Sequence, residues 1–433
     1  MNITIHRGTR EIGGSCVELT SGNTRIIIDI GIPLKDFDSK AAGNLTAEQL
    51  VAKGILPAVD GLYSFQAGRR PIDAVLISHS HMDHYGFLKF INPSIPVYMG
   101  KASKEIIEIG SVFTPHPFII QNHMPFTNGD AFQVGDFSIT PFLVDHSAFD
   151  AYAFLIEANG KKVFYSGDIR LHGRKKASTR KNITKIPKGV DAMILEGTSF
   201  RASPGSHQTV TEDMLKDQIT DAVKGSKGMV LMVFSPQNID RLVAFYKASR
   251  SVKRLFVIDP YAACLLSALR KYAKVPYPAP NYENIKVYFS HNMCSRLKEA
   301  GKQDWFFQFK DFKITREELS RRQNEVMMLT RDSAVPDLQK IPELKEPTCI
   351  YSMWEGYIDK GKIKRLEKFL SEKNGKLSII HASGHADFDT LKEIVETIKP
   401  KLVIPIHTQF PEKYEMLGAQ IRMLEDHEVL EIG

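Results

Sequence analysis

The segment that most restricts this chain is DAVLISHSHMDH, residues 73–84. An apolar run of strand character ends abruptly in His79, His81, Asp83 and His84. Three imidazoles and a carboxylate within six residues cannot all be absorbed into a core, because each buried polar group needs its own partner. A tight loop can instead aim them at one or two metal ions, and neutral imidazole with carboxylate suits Zn²⁺. A chance surface cluster is the rival reading. The position directly after a buried strand argues against it.

The surrounding sequence reads first as short strands: 24–30, 73–78, 95–99, 137–144, 152–157, 162–166 and 191–195. They are rich in β-branched and aromatic residues and bounded by Gly, Asn, Pro and Asp. Asn159-Gly160 marks a hairpin turn. Several strands run out into a polar residue (Asp29, Ser78, Asp145, Asp168, Glu196), where α/β folds place chemistry. From about residue 205 the pattern alternates. Helix 211–223, strand 229–234, helix 238–249, strand 254–258 and a helix near 261–272 predict an inserted unit with a parallel sheet. Residues 275–347 lack periodicity and are rich in Lys and Glu, so they are expected at the outside of that unit. Strand 377–380, a helix over 387–398 capped by Asp387, and strand 402–406 ending at His407 complete the reading. The expected division is one domain from 1–205 and 371–433, and a second from 206–370.

Composition narrows the class. With 433 residues, 43% hydrophobic and 25% charged, the chain is neither disordered nor fibrous. It is long enough to bury a core without a structural metal, so a metal here is expected to be catalytic. The four cysteines form no CxxC pair and read as buried thiols. A net charge of +7 permits an anionic partner without demanding one. No apolar run reaches the ~18–20 residues of a membrane span. The opening MNITIHRGTREIGG has no signal-like apolar core. A cytoplasmic protein without a membrane partner is expected.

HxHxDH after a strand resembles the metallo-β-lactamase superfamily. Further motifs follow in that family's order: IIIDIG with Asp29, VDH with His146 and YSGD with Asp168. The opening GTREIGGSC is similar to the start of its nuclease members. LEGT with Glu196, SGHAD with His385 and IPIHT with His407 resemble the three motifs of the β-CASP nucleases, a group that includes ribonuclease J and the mRNA 3′-end-processing endonuclease. The resemblance implies an α/β fold, an αββα sandwich with a β-CASP cap and the active site in the cleft between them. It implies two Zn²⁺, with Mn²⁺ as the alternative. His79, His81 and His146 would hold one ion. Asp83, His84 and His407 would hold the other, and Asp168 would bridge them. Asp29 would orient a ligand imidazole.

Asp83, Asp168, Glu196 and His385 are the implied catalytic residues. His385 would protonate the leaving 3′-oxygen or contact the scissile phosphate, and Glu196 would hold its tautomer. The implied reaction is hydrolysis of phosphodiester bonds in single-stranded RNA by a metal-bridging hydroxide, endonucleolytic or from the 5′ end, in RNA processing or turnover. In the family a histidine at the place of His407 goes with RNA and a valine with DNA repair. A DNA nuclease, or an ester or thioester hydrolase on the same scaffold, are the rivals. No additional C-terminal RNA-binding domain is recognised, so a minimal form is expected, and a homodimer is admitted.

Expected substrate contacts are Arg170 and Arg174, from the basic run 170–188, with Ser383, His381 and Trp354. For Trp354 core packing is the preferred reading and base stacking the other. Ser203-Pro204-Gly205-Ser206 offers hydroxyls and amides to phosphate. The histidines outside the motifs, His6, His116, His123, His172, His207, His291 and His427, are expected in ordinary surface or loop roles.

Overall fold

The computed structural model of the protein describes residues 1–35, 42, 45–66, 70–114, 117–200 and 209–433. Ser203–Ser206, His116 and His207 lie outside the described residues. The chain divides into two compact units. The first comprises Met1–Lys104, Ile119–Gln208 and Gly384–Gly433; the second comprises Glu105–Phe118 and Thr209–Ser383.

The first unit is built on two sheets. One holds, in spatial and chain order, β1 (Asn2–Arg7), β2 (Cys16–Ser21), β3 (Thr24–Ile28), β4 (Ala74–Leu76), β5 (Val97–Met99) and β6 (His123–Pro125), with the strand Val429–Glu431 added outside β1. The other holds β7 (Phe132–Val134), β8 (Phe137–Val144), β9 (Ala151–Ala158), β10 (Lys161–Tyr165) and β11 (Ala192–Glu196), with the strand Val403–Ile406 beside β11. Asn159 and Gly160 have φ of 51° and 74° and put Ala158 opposite Lys161, the geometry of the expected two-residue hairpin.

Period-two patterning decides which way each strand faces. Ile3, Ile5, Val17, Leu19, Ile26 and Ile28 of the first sheet share one core with Phe154, Ile156, Val163, Tyr165, Ala192 and Ile194 of the second. The alternate residues of the second sheet, among them Ala153, Leu155, Phe164, Met193 and Leu195, form another core on its outer face. There they meet Leu391, Ile394, Val395 and Ile398 of the helix Phe388–Ile398. The Asp387 side chain accepts a hydrogen bond from Thr390 N at 2.8 Å and caps that helix.

The second unit carries a six-stranded sheet, parallel throughout. Its strands are β12 (Val230–Val233), β13 (Leu255–Ile258), β14 (Ile285–Val287), β15 (Val326–Leu329), β16 (Thr348–Tyr351) and β17 (Lys376–Ile379), in spatial order β14-β13-β15-β12-β16-β17. The helices Glu212–Lys224, Ile239–Ser251 and Pro260–Leu269 fall where periodicity places them. The expectation for 275–347 does not hold. β15 comes from that stretch, lies between β13 and β12, and is buried at all four positions. A strand covered on both faces shows no alternation, and VMML is too short to stand out among charged neighbours. Among the described residues no helix is long and apolar enough to cross a membrane.

Candidate metal centre

The first unit gathers the whole expected ligand set at one edge of its sheets. β3 is followed by Asp29, β4 by the loop with His79, His81, Asp83 and His84, and β8 by Asp145 and His146. β10 leads to Asp168, β11 ends on Glu196, and the strand Val403–Ile406 delivers His407. His79, His81, His146 and Asp168 offer ligand atoms that all lie within 4.8 Å of one another, as do Asp83, His84 and His407. Asp168 Oδ2 is 3.6 Å from His79 Nε2, 3.2 Å from His84 Nε2 and 3.7 Å from His146 Nε2. Its Oδ1 is 3.8 Å from His407 Nδ1. His407 Nε2 is 3.3 Å from Asp83 Oδ2.

Most of these separations exceed a good hydrogen bond. Nε2 of His79 and of His84 and both carboxylate oxygens of Asp168 are buried and make no hydrogen bond among the described residues. Each buried polar atom left unpaired costs roughly 1–3 kcal/mol, more when charged. Cations among these atoms remove that cost. Imidazole nitrogen with carboxylate oxygen suits Zn²⁺ and also Mn²⁺, so the residues fit a metal-ion site.

The outward-facing bonds explain why these nitrogens point inward. Asp29 accepts from Ser78 N at 2.8 Å and from the Ser78 hydroxyl, His84 Nδ1 and the Tyr165 hydroxyl, each at 2.8 Å. His79 Nδ1 lies 3.0 Å from Ser78 Oγ. Since the serine proton goes to Asp29, His79 donates there and keeps its Nε2 lone pair for the centre. His146 Nδ1 donates to Gly384 O at 2.6 Å, which turns its Nε2 lone pair toward His81 Nδ1, 3.1 Å away. Thr198 Oγ1 lies 2.8 Å from His407 Nδ1.

The backbone is bent to fit. Asp29 and His407 have φ of 59° and 53°, a region costly for residues with a side chain and found where surrounding structure enforces it. Gly31 carries the Asp83 carbonyl so close that a Cβ there would sit 1.6 Å from the oxygen. Only glycine lets the two loops meet.

Burial pushes His79 and His146 well below the usual imidazole range and His81 down to about 4, which keeps these three neutral as ligands must be; burial also lowers His84, but Asp168 and Asp29 outweigh it and hold that imidazole well above its usual range. Burial opposes ionisation of Asp168, but His407, His84 and His385 outweigh it and hold the carboxyl well below its usual range.

His385 and Glu196 form a separate pair beside this centre. Glu196 is 1% exposed, so it is not a surface acid. Its oxygens accept from Ile169 N at 3.0 Å and Thr198 N at 3.2 Å, and both stand 3.2 Å from His385 Nδ1. Burial would lower the imidazole, but Glu196 and Asp168 outweigh it and raise His385 to about 9.

The expected substrate contacts fare unevenly. Arg170 is fully buried, with its guanidinium 3.4 Å from Asp145, so it is not offered to a ligand. Asp145 also accepts from Gly173 N and shapes the turn after Asp168. Arg174 is half-buried. His381 and Ser383 are half-buried in the second unit, where His381 Nδ1 lies 3.3 Å from the buried Arg241 guanidinium. Trp354 is 39% exposed, edge-on to Tyr357 and under the Lys360 ammonium, so core packing is excluded. Tyr165 and Thr198 are unforeseen members of the centre, and Ser78 is foreseen only as a polar residue at a strand end. Only their positions near His79, Asp168 and Glu196 in the motifs signalled them.

Comparisons with known proteins place this geometry. Residues 61–229 match the family described as "Beta-lactamase superfamily domain". Residues 374–417, which hold His381, His385 and His407, match the "Zn-dependent metallo-hydrolase RNA specificity domain". The chain is 23% identical to "Ribonuclease J" of Mycoplasma genitalium over 420 residues, 93% of this chain and 67% of that protein. It is 22% identical to "Ribonuclease J" of Helicobacter pylori strain 26695, over 100% of this chain and 61% of that protein. The chain thus spans only about two thirds or less of the length of these two curated relatives. A crystal structure of a protein of unknown function from Enterococcus faecalis V583 has a TM-score of 0.80 at 22% identity, over 99% of both chains, a likeness of fold alone.

Proposed function

Because this chain belongs to the metallo-β-lactamase superfamily, and within it to the β-CASP ribonuclease family, we propose that it is a zinc-dependent ribonuclease acting on single-stranded RNA. The observation that carries the reading is the set of buried, unbonded ligand atoms around Asp168, with the His385–Glu196 pair alongside. His79, His81 and His146 would hold one Zn²⁺, Asp83, His84 and His407 the other, with Asp168 shared. Bound there, the ions would supply an activated water near neutral pH and offset phosphate charge.

The chain's own residues do the rest. Asp83 and Asp168 bring negative charge that keeps both cations in place. Asp29, Ser78, Gly384 and Thr198 fix the ligand imidazoles so that little reorganisation accompanies turnover. His385, gripped by Glu196 through Nδ1, hands a proton to the leaving 3′-oxygen and leaves 3′-hydroxyl and 5′-phosphate ends. Ser383, His381, Arg174 and Trp354 are the candidates for holding the strand.

One oligonucleotide made as RNA and as DNA, labelled at either end in separate reactions, tests this with Asp168→Ala and His385→Ala as controls. Cleavage of RNA alone is expected, lost with bound zinc in Asp168→Ala. In His385→Ala it should be lost by about a hundredfold or more with zinc retained. DNA cut at equal rate would move the assignment to a DNA nuclease. Zinc-loaded protein that cuts neither would sink the nuclease reading.

A further inference from the structure

The second unit carries a basic hollow that the proposed chemistry does not use. It lies where the helix Ile239–Ser251 ends and β13 and β14 begin, at the edge of the sheet opposite the strands' carboxyl ends. Two adjoining concavities share Tyr246, Arg250 and Tyr282, and each encloses about 870 Å³ including its solvent-filled mouth. Lys247, Arg250, Lys253 and Lys274 are exposed around them. Among the described residues none of these four cations has a carboxylate within 4.0 Å, whereas Glu283 is the single acid of the lining. Arg254 behaves differently. It is buried and donates to Gly228 O and Ser226 O, so it braces the floor.

Aromatic rings stand among the cations. Tyr282 is half-buried, 6.0 Å from Tyr246 and 5.5 Å from Tyr277, and the Arg270 guanidinium lies 5.1 Å over Tyr277. The bland explanation is that basic residues answer the negative end of the helix. That end carries only about half an elementary charge. Four cations exceed it, and Lys274 belongs to a different stretch of chain beyond the next helix. Cations without a carboxylate partner around a half-buried tyrosine ring at the edge of a hollow form an arrangement that suits single-stranded nucleic acid, with the cations on phosphates and a base on the ring.

We propose that this hollow is a second RNA-binding surface, which holds a stretch of single strand on Lys247, Arg250, Lys253 and Lys274 with a base stacked on Tyr282. It rests on the ribonuclease reading and adds to it a place where the strand is held without being cut. An acidic peptide would use the same cations but gain little from the ring.

The test uses the full chain with the fourfold change K247E/R250E/K253E/K274E and, separately, Tyr282→Leu. Binding of a long fluorescent single-stranded RNA is followed across salt concentrations, with melting temperature and bound metal as folding controls. The fourfold variant should bind about tenfold or more weakly. Its log-affinity against log-salt slope should flatten by about 3 units, since each phosphate neutralised on a single strand is worth about 0.7. Tyr282→Leu should bind about tenfold more weakly with the slope unchanged. Unaltered affinity and slope in the fourfold variant would overturn the proposal, as would a Tyr282 variant that binds normally. Cleavage is read in parallel. Surface-dependent binding without cleavage would keep this surface and remove the nuclease. Cleavage with no effect of the substitutions would do the reverse.

Discussion

At the residue scale, the centre depends on a carboxylate that touches no ligand atom facing the metals. Asp29 gathers four hydrogen bonds and settles which nitrogen of His84 and, through Ser78, of His79 faces inward. Asp29→Asn keeps the shape but can offer an N–H where an acceptor is needed, so it should weaken metal affinity about 10–100-fold. Titration with a competing chelator measures this. Unchanged affinity would mean the tautomers are set elsewhere. The cluster proposed to hold metal was legible because few residue types can do that chemistry. Tyr165, Thr198 and the role of Ser78 were not, because hydroxyls occur everywhere and only three-dimensional neighbours give them a role. Arg170 was misread for a related reason. Within a run of cations nothing local marks the one whose acid, Asp145, waits 25 positions earlier.

At the scale of elements, strand ends and tight loops do the positioning. Gly31 lets the loop after β3 lie against the Asp83 carbonyl, and Ile30 N and Ile32 N donate to His84 O and Met82 O across the same contact. Gly31→Ala must push the HSHMDH loop away. Bound metal and activity should fall together by at least about tenfold, while far-UV circular dichroism stays native because the cores lie elsewhere. Retention of bound metal would show that the loop can yield. Strands of the first unit were legible as β-branched and aromatic runs bounded by turn residues, as in β9 and β10, although both of their faces are buried. β15 was not, because a central parallel strand looks like any short apolar run. β1 and β2 were passed over too, although Ile3, Ile5, Val17 and Leu19 carry the period of a half-buried strand.

At the scale of the molecule, acid stability should report a buried ionic tie across β1, β2 and β3. Glu18 lies 2.9 Å from His6 Nε2 and 2.7 Å from Arg25 Nε, so His6 is not the surface residue expected of it. Burial raises the Glu18 carboxyl, but its bonds to His6 and Arg25 outweigh this and bring it from 4.5 down to about 2. A depressed folded value means the stabilisation is complete above the unfolded pKa and lost as pH falls toward 2. Melting temperature should drop through that window, and Glu18→Gln should be less stable at neutral pH with a flatter acid limb. Parallel curves for the two proteins would remove Glu18 from the account.

The first unit is assembled from three separate stretches of sequence, with Val429–Glu431 paired to β1 and His407 supplied from the strand beside β11. That order sets a timetable for synthesis. A growing polypeptide acquires His79 to Asp168 first, then makes residues 209–383 of the second unit, and only afterwards receives His407, the last of the proposed ligands. Until residue 407 has emerged, one of the two ligand groups is short of its imidazole. On the proposed ligand set, a nuclease so arranged is without a complete site while residues 1–406 are being made.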